Sequence, residues 1–124
     1  MGQFKRRSVI WYENMTIKKG DIWVVELPQL SGHEQEGIRP AIVLTNTPAS
    51  VAVVIPCTSN SHALKFPYTL LIEPSTMNGL SISSIALILQ IRAIDKKRLK
   101  KQIGTLERSN LIMINKMIKS LLAV

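Results

Sequence analysis

Five stretches of six to nine residues, rich in valine, isoleucine and leucine and closed by proline, glycine or small polar residues, constrain this chain most. They are Ile22–Leu27, Pro40–Thr45, Val51–Pro56, Phe66–Glu73 and Ser84–Arg92. Length and β-branched content predict strands, and the short link Asn46–Ser50 predicts that the second and third pair antiparallel. Ser84–Arg92 is the most apolar, so it is expected at the centre of the sheet, running on through Ala93 and Ile94. A basic turn, Lys96–Lys101, precedes a short strand expected around Gln102–Gly104. The period then changes. Leu111, Ile114, Met117, Ile118 and Leu121 recur at helical spacing, with Asn115, Lys116 and Lys119 elsewhere on the wheel. Glu107 ahead of that stripe and the lysines toward its end have the signs a helix dipole favours. The expected fold is mainly β, of the α+β class: a small, strongly bent antiparallel sheet or half-open barrel, covered by one C-terminal amphipathic helix.

Between the first two strands lies Ser31–Pro40, which holds two glycines, His33, Glu34, Gln35, Glu36 and Arg39. A turn needs the glycines; it does not need the imidazole and the guanidinium. Pro40 pushes Arg39 toward an extended conformation, so the loop delivers Arg39 to a strand mouth. There a guanidinium is a fixed cation with a planar fork of donors, suited to phosphate. A loop ion pair of Arg39 with Glu34 or Glu36 is the alternative.

Charge points the same way. Sixteen Lys and Arg against eight Asp and Glu leave a net charge of +8 and a pI near 10, which suits a polyanion such as nucleic acid or serves solubility alone. With 124 residues the chain has room for one domain over 18–124, preceded by a basic arm over 1–17 that carries Lys5, Arg6, Arg7, Trp11 and Tyr12. The arm reads as a solvated extension, or as a grip on single-stranded nucleic acid through charge and stacking. Cys57 is the single cysteine, so no intrachain disulfide forms, and with His33 and His62 it makes too small a ligand set for a structural zinc. No apolar run approaches the roughly 20 residues of a membrane span, and no apolar signal core follows the basic N-terminus. A cytoplasmic setting is expected, with no cofactor.

If the second and third strands pair, the start of one lies beside the end of the other, which makes Arg39 and Thr58 neighbours. A guanidinium and a hydroxyl on rigid strand ends suit a phosphodiester: Arg39 neutralises a nonbridging oxygen and Thr58 orients the same group. RNA carries its own nucleophile, the 2′-hydroxyl, so this chemistry requires neither a metal nor a protein nucleophile. His33 and Glu34 are the nearby proton acceptors or relays. Thr58 could equally bond its own backbone, and His62 and Cys57 read as structural.

Lys19–Leu27, Gly32–Pro40, Ile55–Ser59, Gly79-Leu80, Gln90–Arg92, Ile94-Asp95 and Arg98-Leu99 together resemble the MazF/PemK family of toxin endoribonucleases, in consistent order from about residue 18 to the end. The resemblance implies a CcdB-like, SH3-like barrel that dimerises. It implies metal-independent cleavage of single-stranded RNA, leaving 2′,3′-cyclic phosphate and 5′-hydroxyl ends. Arg39, Thr58 and Glu34 then fall at catalytic positions, and His33, Gln35, Ser59, Gln90 and Arg92 at RNA-binding ones. It also implies an antitoxin partner with an acidic, partly disordered tail. One departure stands out: Leu89 lies where many relatives carry an acidic residue, and Leu87 where some carry arginine. That departure keeps a second reading open, a catalytically weak or inactive CcdB-like protein acting on a protein target such as DNA gyrase.

Overall fold

A computed structural model describes residues 17–28, 37–45 and 47–124. Among these residues there are seven strands: β1 Asp21–Leu27, β2 Gly37–Val43, β3 Val51–Thr58, β4 Thr69–Ile72, β5 Ser84–Leu87, β6 Arg92–Asp95 and β7 Leu99–Thr105. Helix α1, Arg108–Leu122, ends the chain, and short 3₁₀ turns occupy Ser61–Lys65, Ile88–Gln90 and Lys96–Arg98. All pairings are antiparallel, in the order β4-β5-β3-β2-β1-β7, with β6 also beside β3. Among the described residues no helix is long and apolar enough to cross a membrane.

Alternation along the strands gives the sheet two apolar faces. Ile22, Ile42, Ile55, Cys57, Ile72 and Ala86 bury one face, against which α1 lays Leu111, Ile114, Met117, Ile118 and Leu121. The predicted helical stripe is thus core. On the other face Val25, Ala41, Val43, Ala52, Val54, Ile94 and Leu99 form a second cluster. Ile94 of β6 and Leu99 of β7 come from opposite ends of the strand order β6-β3-β2-β1-β7, yet they share that cluster. The three-residue turn Lys96–Arg98 joins those two strands, so the sheet must curl to bring them together. Among the described residues no ladder joins β6 to β7, so the sheet is bent but open, not a closed barrel.

Three strand expectations need correction. The predicted strand Ser84–Arg92 breaks into β5 and β6 around Ile88–Gln90, and the central position belongs to β3, which pairs with β2, β5 and β6. The cause is Pro56. Val53 directs both its N–H and its C=O toward the β2 side, to Thr45 Oγ1 and Leu44 N, so by alternation residue 56 directs its polar groups toward β5 and β6. Proline has no N–H to give there, and the neighbouring strand loops out. The pairing register slips by three residues between Cys57↔Ala86 and Val54↔Arg92, the length of the 3₁₀ turn. Next, β2 starts at Gly37 rather than Pro40, because Gly37–Pro40 pair with β1 alone, and a strand open on one side tolerates proline. Third, β4 begins at Thr69, since Ser61–Lys65 is a 3₁₀ turn capped by Asn60, whose Oδ1 accepts from His62 N at 3.0 Å.

Candidate active site

Thr58 is the last residue of β3 and is only 5% exposed. The third apolar stretch of the sequence ends at Pro56; pairing with Ile85 of β5 carries the strand on through Thr58. Arg39, half-buried, sits on β2 opposite Val25 of β1. The β2–β3 ladder ends at Ala41↔Pro56, and counting two residues outward along each strand brings Arg39 opposite Thr58. Alternation then gives both side chains the same face as Ala41 and Val54. The ladder itself stops short of that pair, where β3 leaves β2 and continues against β5, so Arg39 and Thr58 stand two residues beyond the last paired residues, on the two sides of that opening.

The Thr58 hydroxyl accepts a hydrogen bond from Asn60 N at 3.2 Å. The backbone-bonding role considered for it is therefore present, but a hydroxyl that accepts retains its own proton to donate. Asn60 in turn holds His62 N through Oδ1, so Thr58, Asn60 and His62 form a fixed succession across the strand end. Beside them opens a cavity of about 490 Å³, lined by Thr58, Asn60, His62, Phe66, Leu89 and Gln90 among others. Such a volume lies within the range of ligand pockets. Gln90 also belongs to a local pair: its Oε1 accepts from Arg92 Nη2 at 3.3 Å. A guanidinium only donates, so this contact fixes which end of the Gln90 amide is oxygen.

The turn Phe66-Pro67-Tyr68 forms one wall of the cavity. Tyr68 adopts φ 56°, a left-handed conformation that costs a non-glycine residue about 1 kcal/mol or more. Two contacts hold it there. Its carbonyl accepts from Ile88 N at 3.0 Å, and its hydroxyl lies 3.2 Å from Ser120 Oγ on α1.

Of the residues singled out in the sequence, Thr58 and Gln90 line the cavity, Arg39 lies on β2 two residues beyond the last β2–β3 pair, and Arg92 supports Gln90. Ser59 follows Thr58 and is exposed. His33, Glu34 and Gln35 lie outside the described residues. Sequence reasoning overlooked Asn60, Phe66 and Tyr68 and set His62 aside as structural, although all four line the cavity. The signal available was the polar run after β3 followed by two aromatics around Pro67. On the opposite face Cys57 is buried, and burial pushes its thiol up to about 12, so it is inert at neutral pH.

Fold and site together define a class: a small, basic, curled antiparallel sheet backed by one helix, with its polar chemistry at a strand end. Comparison with known proteins narrows this. The profile of the family described as PemK-like, MazF-like toxin of type II toxin-antitoxin system matches residues 18–122. This chain belongs to that family. It is 31% identical over 103 residues to Endoribonuclease MazF of Staphylococcus epidermidis, covering 80% of this chain and 85% of the relative. It is 32% identical over 112 residues to Endoribonuclease MazF9 of Mycobacterium tuberculosis, covering 83% and 93%. Among solved structures, MazF of Deinococcus radiodurans matches with a TM-score of 0.75 at 24% identity, over 90% of this chain and all of that one. A MazE-MazF crystal structure from the same organism matches with a TM-score of 0.67 at 25% identity, over 90% and 99%.

Proposed function

We propose that this chain is the RNA-cleaving toxin of a toxin-antitoxin pair, and that Arg39 and Thr58 carry the reaction at the mouth of the cavity. The observation that bears most weight is the register: extended by two residues, it faces a guanidinium with a hydroxyl across the opening between β2 and β3. In the reaction, a ribose 2′-oxygen attacks the adjacent phosphorus while the bond from phosphorus to the 5′-oxygen breaks. The departing 5′-oxygen takes a proton from water, so a 2′,3′-cyclic phosphate and a 5′-hydroxyl result. Arg39 stabilises charge gathering on the nonbridging oxygens, and the Thr58 O–H donates to the same phosphate. Glu34 or His33, on the segment entering β2, takes the 2′-proton. Leu89 supplies no carboxylate, so no base comes from that position. His33, Gln35, Ser59, Gln90 and Arg92 contact RNA.

The relatives are named endoribonucleases, which favours this reading over a gyrase-directed one. A relative has been solved with MazE, and net charge +8 suits an antitoxin whose tail is acidic. The working unit is a cytoplasmic homodimer of domains 18–124, each with its arm 1–17. The test is to incubate wild type, Arg39→Ala and Thr58→Ala with a long single-stranded RNA in EDTA and to map the ends. Discrete cuts by wild type ending in cyclic phosphate, slowed about 100-fold or more in both variants, are expected. Equal cutting by Arg39→Ala contradicts the site. Salt adds a check: RNA affinity is expected to fall steeply from low to physiological salt, and a flat response contradicts phosphate contacts.

A further inference from the structure

A second cavity, of about 440 Å³, opens between α1 and the sheet, and it shares no lining residue with the one beside Thr58. Its floor is aliphatic: Leu44 directly after β2, Val53 of β3, Ile91, and Ile118 of α1. Its charge comes from two lysines on separate elements, Lys19 in the turn before β1 and Lys119 in the last turn of α1, both exposed. No carboxylate lines this cavity, and neither lysine has an ion-pair partner among the described residues. Thr45 and Asn115 add neutral donors. Thr45 Oγ1 accepts from Val53 N at 3.1 Å, which leaves its own proton to donate. No aromatic ring and no arginine lines the space, so it offers neither a stacking face for a base nor a planar fork for phosphate. Two point charges beside four aliphatic side chains suit a carboxylate carried on an aliphatic chain.

Two elements of its wall are tied to the cavity beside Thr58. Ile91 caps the 3₁₀ turn Ile88–Gln90, whose Leu89 and Gln90 line that other cavity. Ile91 N donates to Ile88 O at 3.2 Å, and Ile88 N donates to Tyr68 O at 3.0 Å, so the succession ends in the other cavity's wall. Helix α1 makes the second tie: Lys119 lines one cavity, and the next residue, Ser120, holds its Oγ 3.2 Å from the Tyr68 hydroxyl. We propose that the second cavity is an effector site for an aliphatic carboxylate, with the chain on the aliphatic floor and the carboxylate on Lys19 and Lys119, and that its occupancy steadies the turn Ile88–Gln90. The consequence for RNA rests on the nuclease reading. A steadied turn holds Leu89 and Gln90 in place, so RNA and the carboxylate strengthen each other's binding by one and the same factor.

The probe is sodium octanoate below its micelle-forming concentration, titrated calorimetrically into the full-length wild type and into a double variant, Lys19→Gln with Lys119→Gln. Both lysines are exposed, so the double variant keeps its fold. Saturable binding at one site is expected, weakened about tenfold in the double variant. 1-Octanol, which has no charge, and acetate, which has no chain, are expected to bind far more weakly. A second titration reads RNA affinity by fluorescence anisotropy, with and without octanoate, on a 2′-O-methyl oligonucleotide that lacks the attacking hydroxyl. A gain of about fivefold is expected in wild type and none in the double variant. No saturable octanoate binding, equal binding by the double variant, or equal binding of 1-octanol would overturn the site. Bound octanoate that leaves RNA affinity unchanged would overturn the coupling. Mutual weakening would put the RNA itself on the two lysines and overturn a separate effector site. If wild type bound octanoate as expected but cut no RNA, the nuclease reading would fall and the carboxylate site would stand.

Discussion

Two polar turns of this chain read alike in sequence and behave oppositely in the fold. One is Cys57–His62 at the end of β3; the other is Pro74–Gly79 between β4 and β5. Both mix serine, threonine and asparagine. In the second, Asn78 is fully buried and its amide is saturated: Oδ1 accepts from Ser75 N and Leu80 N at 3.0 Å each, while Nδ2 donates to Glu73 O at 2.8 Å and Glu107 Oε1 at 3.1 Å. Ser75 Oγ donates to Glu107 as well, which ties the turn to the start of α1. Here the polar groups of Ser75 and Asn78 serve the fold. In the first turn the bonds fix positions but leave Thr58, Asn60 and His62 lining an open cavity. Asparagine plugs the fold in one place and shapes a site in the other, and what separates them is whether something packs over it.

The contrast can be broken first at Gly79 and Gly104. A Cβ on Gly79, where φ is +71°, would lie 1.9 Å from Ile103 O, and one on Gly104 would lie 2.3 Å from the Asn78 carbonyl carbon. Gly79→Ala or Gly104→Ala is expected to cost about 3 kcal/mol or more in urea unfolding. Asn78→Ala removes the acceptor of two backbone N–H groups and the donor to Glu73 O, and leaves Glu107 with Ser75 alone, so a loss of about 2–3 kcal/mol is expected by the same measurement. Neither loss is expected for Arg39→Ala, whose effect falls on cleavage.

A smaller effect follows from Glu107. The hydrogen bond from Ser75 holds its carboxyl below the usual carboxylate value. A folded-state value below the unfolded one means stability that is present above about pH 4.3 and lost as pH falls through the lower folded value. Thermal scans from neutral pH down to about pH 3 are expected to show a steeper fall for wild type than for Glu107→Gln. Equal slopes would remove Glu107 from the knot. Least perturbing is Cys57, whose thiol is buried and pushed up to about 12. It is expected to react with a disulfide reagent only as fast as the protein opens. Reaction should accelerate in Asn78→Ala and stay unchanged in Arg39→Ala.

Much of this was legible in the sequence. The apolar runs gave β1 and β3, and the helical period gave the core stripe of α1, because burial on one or both faces writes directly into residue order. Pairing β2 with β3 was legible too, and it carries the expectation that Arg39 and Thr58 approach, although the ladder itself ends two residues earlier, at Ala41↔Pro56. The break at Ile88–Gln90 was hidden because its cause, Pro56, lies on another strand more than thirty residues away. Asn78 was hidden for a similar reason: its value lies in Glu107, which only the tertiary fold brings near. Phe66 and Tyr68 read as strand residues because aromatics favour strands. The positive φ of Tyr68 is set by contacts with Ile88 and Ser120, which no local pattern encodes.

In the proposed reaction the Thr58 hydroxyl serves chemistry while its backbone serves the sheet. Thr58→Val keeps the shape and removes the oxygen, so the direct measurement is its RNA cleavage rate beside its melting temperature. A rate about 100-fold below wild type, with cooperative unfolding retained within a few degrees, is the predicted result. Wild-type cleavage by Thr58→Val would contradict the account and leave the hydroxyl as no more than the acceptor for Asn60 N.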